Sequence, residues 1–73
     1  MSNTENLFIK IAEKIKNERT LRGWSQEKLA QKANISLLTI GTIERLTNKP
    51  SVMTLAQIAD ALDMKLCDLL NFD

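Results

Sequence analysis

The sequence predicts a compact all-α fold of five helices in a chain of 73 residues. Apolar side chains recur at helical spacing along almost the whole chain, and no segment alternates with the period of two that is typical of a strand. Glycine and proline occur only at Gly23, Gly41 and Pro50, so few positions interrupt the helices. We expect residues 1–73 to form a single domain with its core between about residues 7 and 70.

Serine residues mark where the helices are expected to begin. The first helix is predicted from about Thr4 to about Arg22, followed by Gly23, which can adopt positive φ. Ser25, Ser36 and Ser51 each suit an N-cap position, because the serine hydroxyl accepts a hydrogen bond from a free amide of the next turn. The helices predicted after them run over 26–33, 36 to about 46, and 52 to about 62. A last short helix is predicted over about 65–70.

The composition argues against several classes of function. The sequence has no histidine and one cysteine, Cys67, so the commonest metal ligands and catalytic bases are absent. We therefore expect neither an enzyme nor a metal or cofactor site, and no small-molecule ligand is evident. No apolar run approaches the roughly 20 residues of a membrane span, and the N-terminus lacks the features of a signal peptide. The expected location is the cytoplasm, without membrane association.

Charge is distributed unevenly along the chain. The net charge is only +1, but residues 1–50 hold nine of the ten Lys and Arg residues and five of the nine Asp and Glu residues. The remainder is acidic, with one lysine and four aspartates. A basic half and an acidic half are expected when one face of a protein meets phosphate and the other does not.

The segment 26–45 predicts two short helices joined by about three residues, each with its own N-cap. Such a turn makes the helices cross steeply and leaves the second one protruding, a shape that fits a major groove about 12 Å wide. The surrounding residues read Arg19-x2-Arg-Gly-Trp-Ser-Gln-Glu-x-Leu-Ala-x-Lys-Ala-Asn-Ile-Ser-x2-Thr-Ile-x2-Ile-Glu-Arg-x4-Pro-Ser51. This pattern resembles the lambda-repressor/Cro-like (XRE-type) helix-turn-helix family over about 60 of the 73 residues. The resemblance implies that the second and third helices form a DNA-binding helix-turn-helix.

The same resemblance assigns DNA contacts to individual positions. Gln26 matches a glutamine that contacts phosphate, and the start of a helix suits an anion. Arg45, at the exposed end of the third helix, matches a backbone contact, with a solvated surface charge as the alternative. The positions that match base-edge contacts are Ser36, Leu37, Leu38 and Thr42, and those that match a loop holding the far phosphates are Thr47, Asn48 and Lys49.

Arg19 and Glu44 match a pair that forms an internal salt bridge between the first and third helices of this family. Three features depart from the family pattern. Asn34 replaces a glycine in the turn, Leu46 stands where a glycine often ends the third helix, and no Arg, Asn or Gln stands at the head of that helix. The head of the helix therefore lacks a bidentate base reader. Gly41 lies within the helix at a cost of ~1 kcal/mol relative to alanine, for close approach to DNA or for packing.

The C-terminus carries several apolar residues in a short span. Leu66 and Leu69 are expected in the core, whereas Leu70 and Phe72 are expected at a two-fold interface. Such a homodimer would place two recognition helices roughly 34 Å apart on a palindromic operator. Cys67 is expected to be a small hydrophobic residue in the core or near the surface, rather than a redox switch.

The expected function is therefore a dimeric, sequence-specific transcriptional regulator of a repressor or controller type, encoded by a bacterium or phage and associated with the nucleoid. A phage-type repressor, a restriction-modification controller and the DNA-binding partner of a toxin all stay open. The alternative is a protein-interaction module, antitoxin-like or an adaptor, that keeps the fold with weak or no DNA binding. The leucines at the head of the third helix and the low net charge favour that alternative.

Overall fold

Serine side chains begin three of the helices in the computed structural model, which describes residues 3–72. Over that range the chain forms five α-helices and no strand, which confirms the predicted all-α fold. The helix boundaries agree with the predicted ones to within about two residues. The helices are α1 (Asn3–Leu21), α2 (Gln26–Ala33), α3 (Leu37–Glu44), α4 (Val52–Ala61) and α5 (Leu66–Leu69).

Each predicted serine cap is present. The hydroxyls of Ser25, Ser36 and Ser51 accept hydrogen bonds from the backbone N–H three residues later, at donor–acceptor distances of 3.0, 3.0 and 3.1 Å. Each bond satisfies one of the four amides that a helix start leaves without a partner. The short helix α5 begins after Lys65, whose side chain makes no capping bond.

The first four helices end in the same way, with one residue in the left-handed region. These residues are Gly23, Asn34, Leu46 and Asp63, with φ between 58° and 71°. In each case the N–H of the following residue donates to a carbonyl five residues earlier, as in a Schellman motif. Gly, Asn and Asp tolerate this conformation, whereas a leucine there costs roughly 1–2 kcal/mol.

Leu46 explains why α3 is shorter than the sequence predicts. The predicted helix runs to about Leu46, but α3 ends at Glu44 and Leu46 turns the chain away with φ 65°. The Leu46 N–H donates to the Ile43 carbonyl at 3.1 Å, and the Thr47 N–H donates to the Thr42 carbonyl at 2.9 Å. These two bonds stabilise the turn, although a leucine side chain disfavours the positive φ of residue 46.

The core lies at the centre of the helices and fixes α3 on the body. α3 packs against α1 and α2, α2 also packs against α4, and α5 packs against α4 and α1. Leu69 is fully buried and Leu66 is half-buried against the core, as expected. The largest fully buried side chains are Ile15, Leu29, Ile40, Ile43, Ile58, Leu62 and Leu69.

Residues 3–72 contain neither a membrane-spanning helix nor a cluster of metal ligands. None of their helices is long and apolar enough to cross a membrane. The same residues contain no group of His, Cys, Asp and Glu side chains that could hold a metal ion.

Leu46 provides a test of the helix ends. Leu46→Gly and Leu46→Ala both remove the side chain, so the difference between them isolates the backbone. We expect the glycine variant to have the larger free energy of unfolding, by about 1 kcal/mol, because alanine is strained at positive φ. The matched pair is Lys16→Gly and Lys16→Ala, at an exposed residue in the middle of α1. There the alanine variant should be more stable than the glycine variant by about 1 kcal/mol. Urea unfolding of the four variants measures both differences, and the same sign at both positions would contradict this account.

Candidate nucleic-acid interface

The helix α3 is buried on one side and open on the other. Ile40 and Ile43 are buried in the core, and Gly41 is buried as well. On the open side, Leu37 and Leu38 are 49% and 70% exposed, Thr42 is half-buried and Arg45 is exposed. A helix of eight residues is about 12 Å long. The open side is therefore a convex ridge of a size that fits the major groove.

An ion pair between Arg19 and Glu44 orients this ridge. Arg19 Nε donates to Glu44 Oε2 at 2.8 Å, and Nη2 donates to Oε1 at 3.0 Å, a bidentate arrangement. The two side chains are only 11% and 4% exposed. Hydrogen bonds to the carboxylate raise the pKa of Arg19 above its ordinary value. Nη1 of the same guanidinium donates to the Trp24 carbonyl at 2.8 Å, so Arg19 ties α1 both to α3 and to the chain just before α2.

Gln26 belongs to the same network. Its side-chain amide nitrogen donates to Glu44 Oε1 at 3.1 Å, which holds the first side chain of α2 beside α3. An amide group carries two N–H donors, so one stays available for another acceptor. The backbone N–H groups at the start of α2 also favour an anion.

The hydroxyls of α3 are used within the helix. Ser36 Oγ caps the helix and also shares a 2.7 Å hydrogen bond with Thr39 Oγ1. Thr42 Oγ1 donates its proton to the Thr39 carbonyl at 3.0 Å. Thr42 must give up its bond within the helix to donate to a base, whereas Ser36 must do so only if it is the donor in its bond to Thr39 Oγ1.

The loop after α3 carries the three remaining residues that match DNA contacts. Thr47, Asn48 and Lys49 are all exposed, and Thr47 Oγ1 donates to the Thr42 carbonyl at 3.2 Å. The Lys49 ammonium lies 5.8 Å from the centroid of the Phe8 ring, at the edge of an apolar cavity of about 210 Å³. A flexible lysine leaves such a cation–π contact at little cost to reach a phosphate.

A family model described as Helix-turn-helix matches residues 15–69, which include the whole of this ridge and its supporting network. This chain belongs to the XRE-type helix-turn-helix family. The resemblance drawn from the sequence is therefore confirmed, and the members of the family are DNA-binding transcription regulators.

Curated relatives in this helix-turn-helix family are also named as regulators. The chain is 38% identical over 60 residues to the HTH-type transcriptional regulator SutR of Escherichia coli K12, covering 82% of the chain and 34% of SutR. It is 36% identical over 62 residues to the HTH-type transcriptional regulator SinR of Bacillus licheniformis, covering 84% of the chain and 56% of SinR. The chain thus spans about a third and about half of these two proteins.

Solved structures of helix-turn-helix regulators share the fold. A regulator of this family from Vibrio cholerae superposes with a TM-score of 0.84 at 32% identity, over 89% of this chain and 36% of that one. The restriction-modification controller protein C.AhdI from Aeromonas hydrophila superposes with a TM-score of 0.81 at 29% identity, over 85% of this chain and 94% of the controller.

The two residues expected at a two-fold interface of this helix-turn-helix protein differ in exposure. Leu70 is 37% exposed. Phe72 is half-buried, packs against the core, and has the Lys10 ammonium 5.9 Å from its ring centroid. Cys67, on α5, is exposed, which agrees with the second of its two expected positions, near the surface.

Two exposed apolar residues beside the loop have no role predicted from the sequence. Val52 and Met53 follow the Ser51 cap at the start of α4 and are 71% and 69% exposed. Their position outside the helical stripe of buried residues on α4 was visible in the sequence, but nothing there marked them as functional.

Removing the charge of Glu44 should lower the free energy of unfolding far more than removing an exposed charge. Glu44→Gln leaves the buried Arg19 guanidinium without its counter-charge, so the free energy of unfolding should fall by about 3 kcal/mol. The matched control is Glu13→Gln on the exposed surface of α1, which should change it by less than about 0.5 kcal/mol. Denaturant unfolding measures both, and equal costs would mean that the pair does not hold α3.

Proposed function

We propose that this helix-turn-helix regulator binds a palindromic DNA operator as a homodimer, with α3 of each protomer in the major groove. The observation that carries the proposal is the open side of α3, an exposed ridge beside residues that can donate hydrogen bonds to phosphate. Gln26 is bonded to Glu44 at the end of α3, and the exposed loop 47–49 follows that end. Membership of a family of DNA-binding regulators supports the same reading.

The flanking residues are proposed to contact phosphate. Gln26 offers the second N–H of its amide together with the N-terminus of α2. Asn48 and Lys49 offer exposed donors in the loop after α3, with Thr47 beside them. Contacts of this kind fix the register of the protein on the duplex and carry no sequence information.

The ridge itself is proposed to face the bases. Leu37 and Leu38 offer van der Waals contact, best suited to the methyl groups of thymine. Thr42 offers mainly an acceptor oxygen, because its proton is used within α3, and Ser36 offers the one hydrogen-bonding site that its two bonds to Thr39 leave free. Sequence-dependent shape and deformability of the DNA should therefore contribute to specificity.

The homodimer is proposed to form through the C-terminal residues, chiefly Leu70 with Phe72 beside it. A two-fold axis there would join the acidic parts of two protomers away from DNA and leave both copies of α3 free. We further propose that residues 1–73 act as one DNA-binding domain. A domain of this size makes up nearly the whole of the controller protein C.AhdI, of which 94% is covered.

Binding to duplex DNA should depend steeply on salt. Affinity is expected to fall by about 0.9 log units per log unit of salt for each phosphate neutralised. Lys49→Ala should weaken binding to every sequence about equally and lower this slope by about one phosphate. Lys65→Ala removes the same charge just before α5 and should change neither the affinity nor the slope. Fluorescence anisotropy on duplexes selected from a random pool measures both, and a pool without any bound duplex at low salt would refute DNA binding.

The interface is tested by charge placed at Leu70. Leu70→Lys should shift the protein from dimer to monomer in sedimentation equilibrium, because a lysine cannot be buried unpaired at a two-fold axis. The control is Leu21→Lys, at a leucine that is 78% exposed at the end of α1. A dimer that persists in Leu70→Lys, or a wild-type monomer at all concentrations, would contradict this interface.

One observation favours a second candidate, a protein-interaction module on the same fold. Four apolar side chains at the starts of α3 and α4, namely Leu37, Leu38, Val52 and Met53, are 49–71% exposed. Loss of DNA binding together with retention of the fold would support this candidate over an operator-binding regulator. The salt titration above therefore decides between the two.

A further inference from the structure

Gly41 lies in the middle of α3 and is buried although it carries no side chain. A Cβ atom built on Gly41 would lie 2.8 Å from Nη1 of Arg45, 3.3 Å from Nη2 and 3.4 Å from Cζ. These three nearest atoms all belong to one guanidinium group, so it is Arg45 that covers Gly41. A side chain at residue 41 would occupy the space in which the guanidinium lies.

The Arg45 guanidinium differs from the other two arginines in its partners. Arg19 is bonded to Glu44 and to the Trp24 carbonyl. Arg22 is bonded to Glu18 and to the Leu62 carbonyl. Within residues 3–72, no hydrogen bond or ion pair engages the guanidinium of Arg45. Its five N–H donors are therefore available to an external acceptor.

The place of this guanidinium on α3 is set by helix geometry. Leu38, Thr42 and Arg45 are spaced i, i+4 and i+7, so they form one stripe along the open side of the helix. Long side chains on a helix point back towards its N-terminus. Arg45 follows this rule, which carries its guanidinium one turn back to the level of Gly41, inside the ridge rather than beyond its end.

The rest of the ridge has no planar group with several N–H donors, such as the guanidinium of Arg45. The Ser36 and Thr42 hydroxyls are bonded within α3, and the leucines have no polar atoms. A guanidinium is the side chain best matched to the O6 and N7 acceptors of guanine in the major groove. The same group would bind a phosphate, but phosphates line the edges of the groove, whereas this guanidinium lies within the stripe that faces its floor.

We propose that Arg45 reads a guanine in the major groove, and that Gly41 is a positioning residue that keeps open the space from which the guanidinium does so. This inference rests on the proposed DNA binding and adds one hydrogen-bonding base contact to it. It also gives the mid-helix glycine a role, because alanine would suit a helix better unless the space above it is needed.

The test compares three variants on one set of duplexes. Wild-type protein is first used to select operators from random DNA, which identifies any G·C pair preferred in each half-site. Arg45→Ala should lower the preference for that pair by about 5- to 150-fold, the range for one bidentate base contact. Arg45→Lys keeps the charge but lacks the fork, so it should lose the preference while the salt dependence stays unchanged.

Gly41→Ala is the decisive variant, because it leaves Arg45 in place. We expect the melting temperature to rise by about 4–8 °C, since alanine is the better helix former and the flexible guanidinium can move aside. The preference at the same base pair should nevertheless fall as in Arg45→Ala. Retained preference in Gly41→Ala would overturn the role of Gly41.

The remaining outcomes separate this inference from the proposed function. If Arg45→Ala weakens all sequences equally and lowers the salt slope by about 0.9, Arg45 is a phosphate contact and the inference fails while DNA binding stands. An unchanged operator preference in Arg45→Ala overturns the inference in the same way. If wild-type protein binds no duplex at all, the proposed function fails first.

Discussion

The Arg19 guanidinium and the Glu44 carboxylate join the end of α1 to the end of α3, and the position of the exposed helix depends on that contact. Both side chains are nearly buried, one further N–H of Arg19 donates to the Trp24 carbonyl, and Glu44 Oε1 also accepts from Gln26. Burying two charges is costly unless every group is bonded, and here the bonding is shared among three helices. The pairing also neutralises a carboxylate that would otherwise lie close to phosphate. One contact thus supports both the shape of the proposed interface and its electrostatics.

The polar side chains of α3 contribute first to the helix itself. Ser36 begins it, and Thr42 bonds back to the turn before. A helix of only eight residues has few internal hydrogen bonds, so these side-chain bonds are a large part of its local stability. The outer surface is left with methyl groups and one guanidinium. In the proposed complex, such a ridge would distinguish DNA sequences by contact with thymine methyls and by DNA shape more than by many hydrogen bonds.

Much of the fold could be predicted from the sequence, because its signals are local. Ser25, Ser36 and Ser51 placed three helix starts, and the family resemblance identified Arg19 and Glu44 as partners across 25 residues. The end of α3 was predicted about two residues too late, because a leucine by itself gives no sign of positive φ, although the family pattern often has a glycine there. The covering of Gly41 by Arg45 could not be predicted, since spacing alone does not say where a long side chain lies. The DNA contacts themselves remain predictions.

The regular alternation of serine starts and left-handed ends has a consequence for folding kinetics. The first four helices are eight to nineteen residues long, and α2, α3 and α4 each have a serine that caps their start. Most contacts that form early are therefore between residues close in sequence, and chains of this kind fold in microseconds to milliseconds. The slow step should be the docking of α1 on the later helices, which requires the chain to close long loops before Arg19 meets Glu44 and Arg22 meets the Leu62 carbonyl. A nascent chain would thus acquire its helices before it acquires the surface that holds α3 outward.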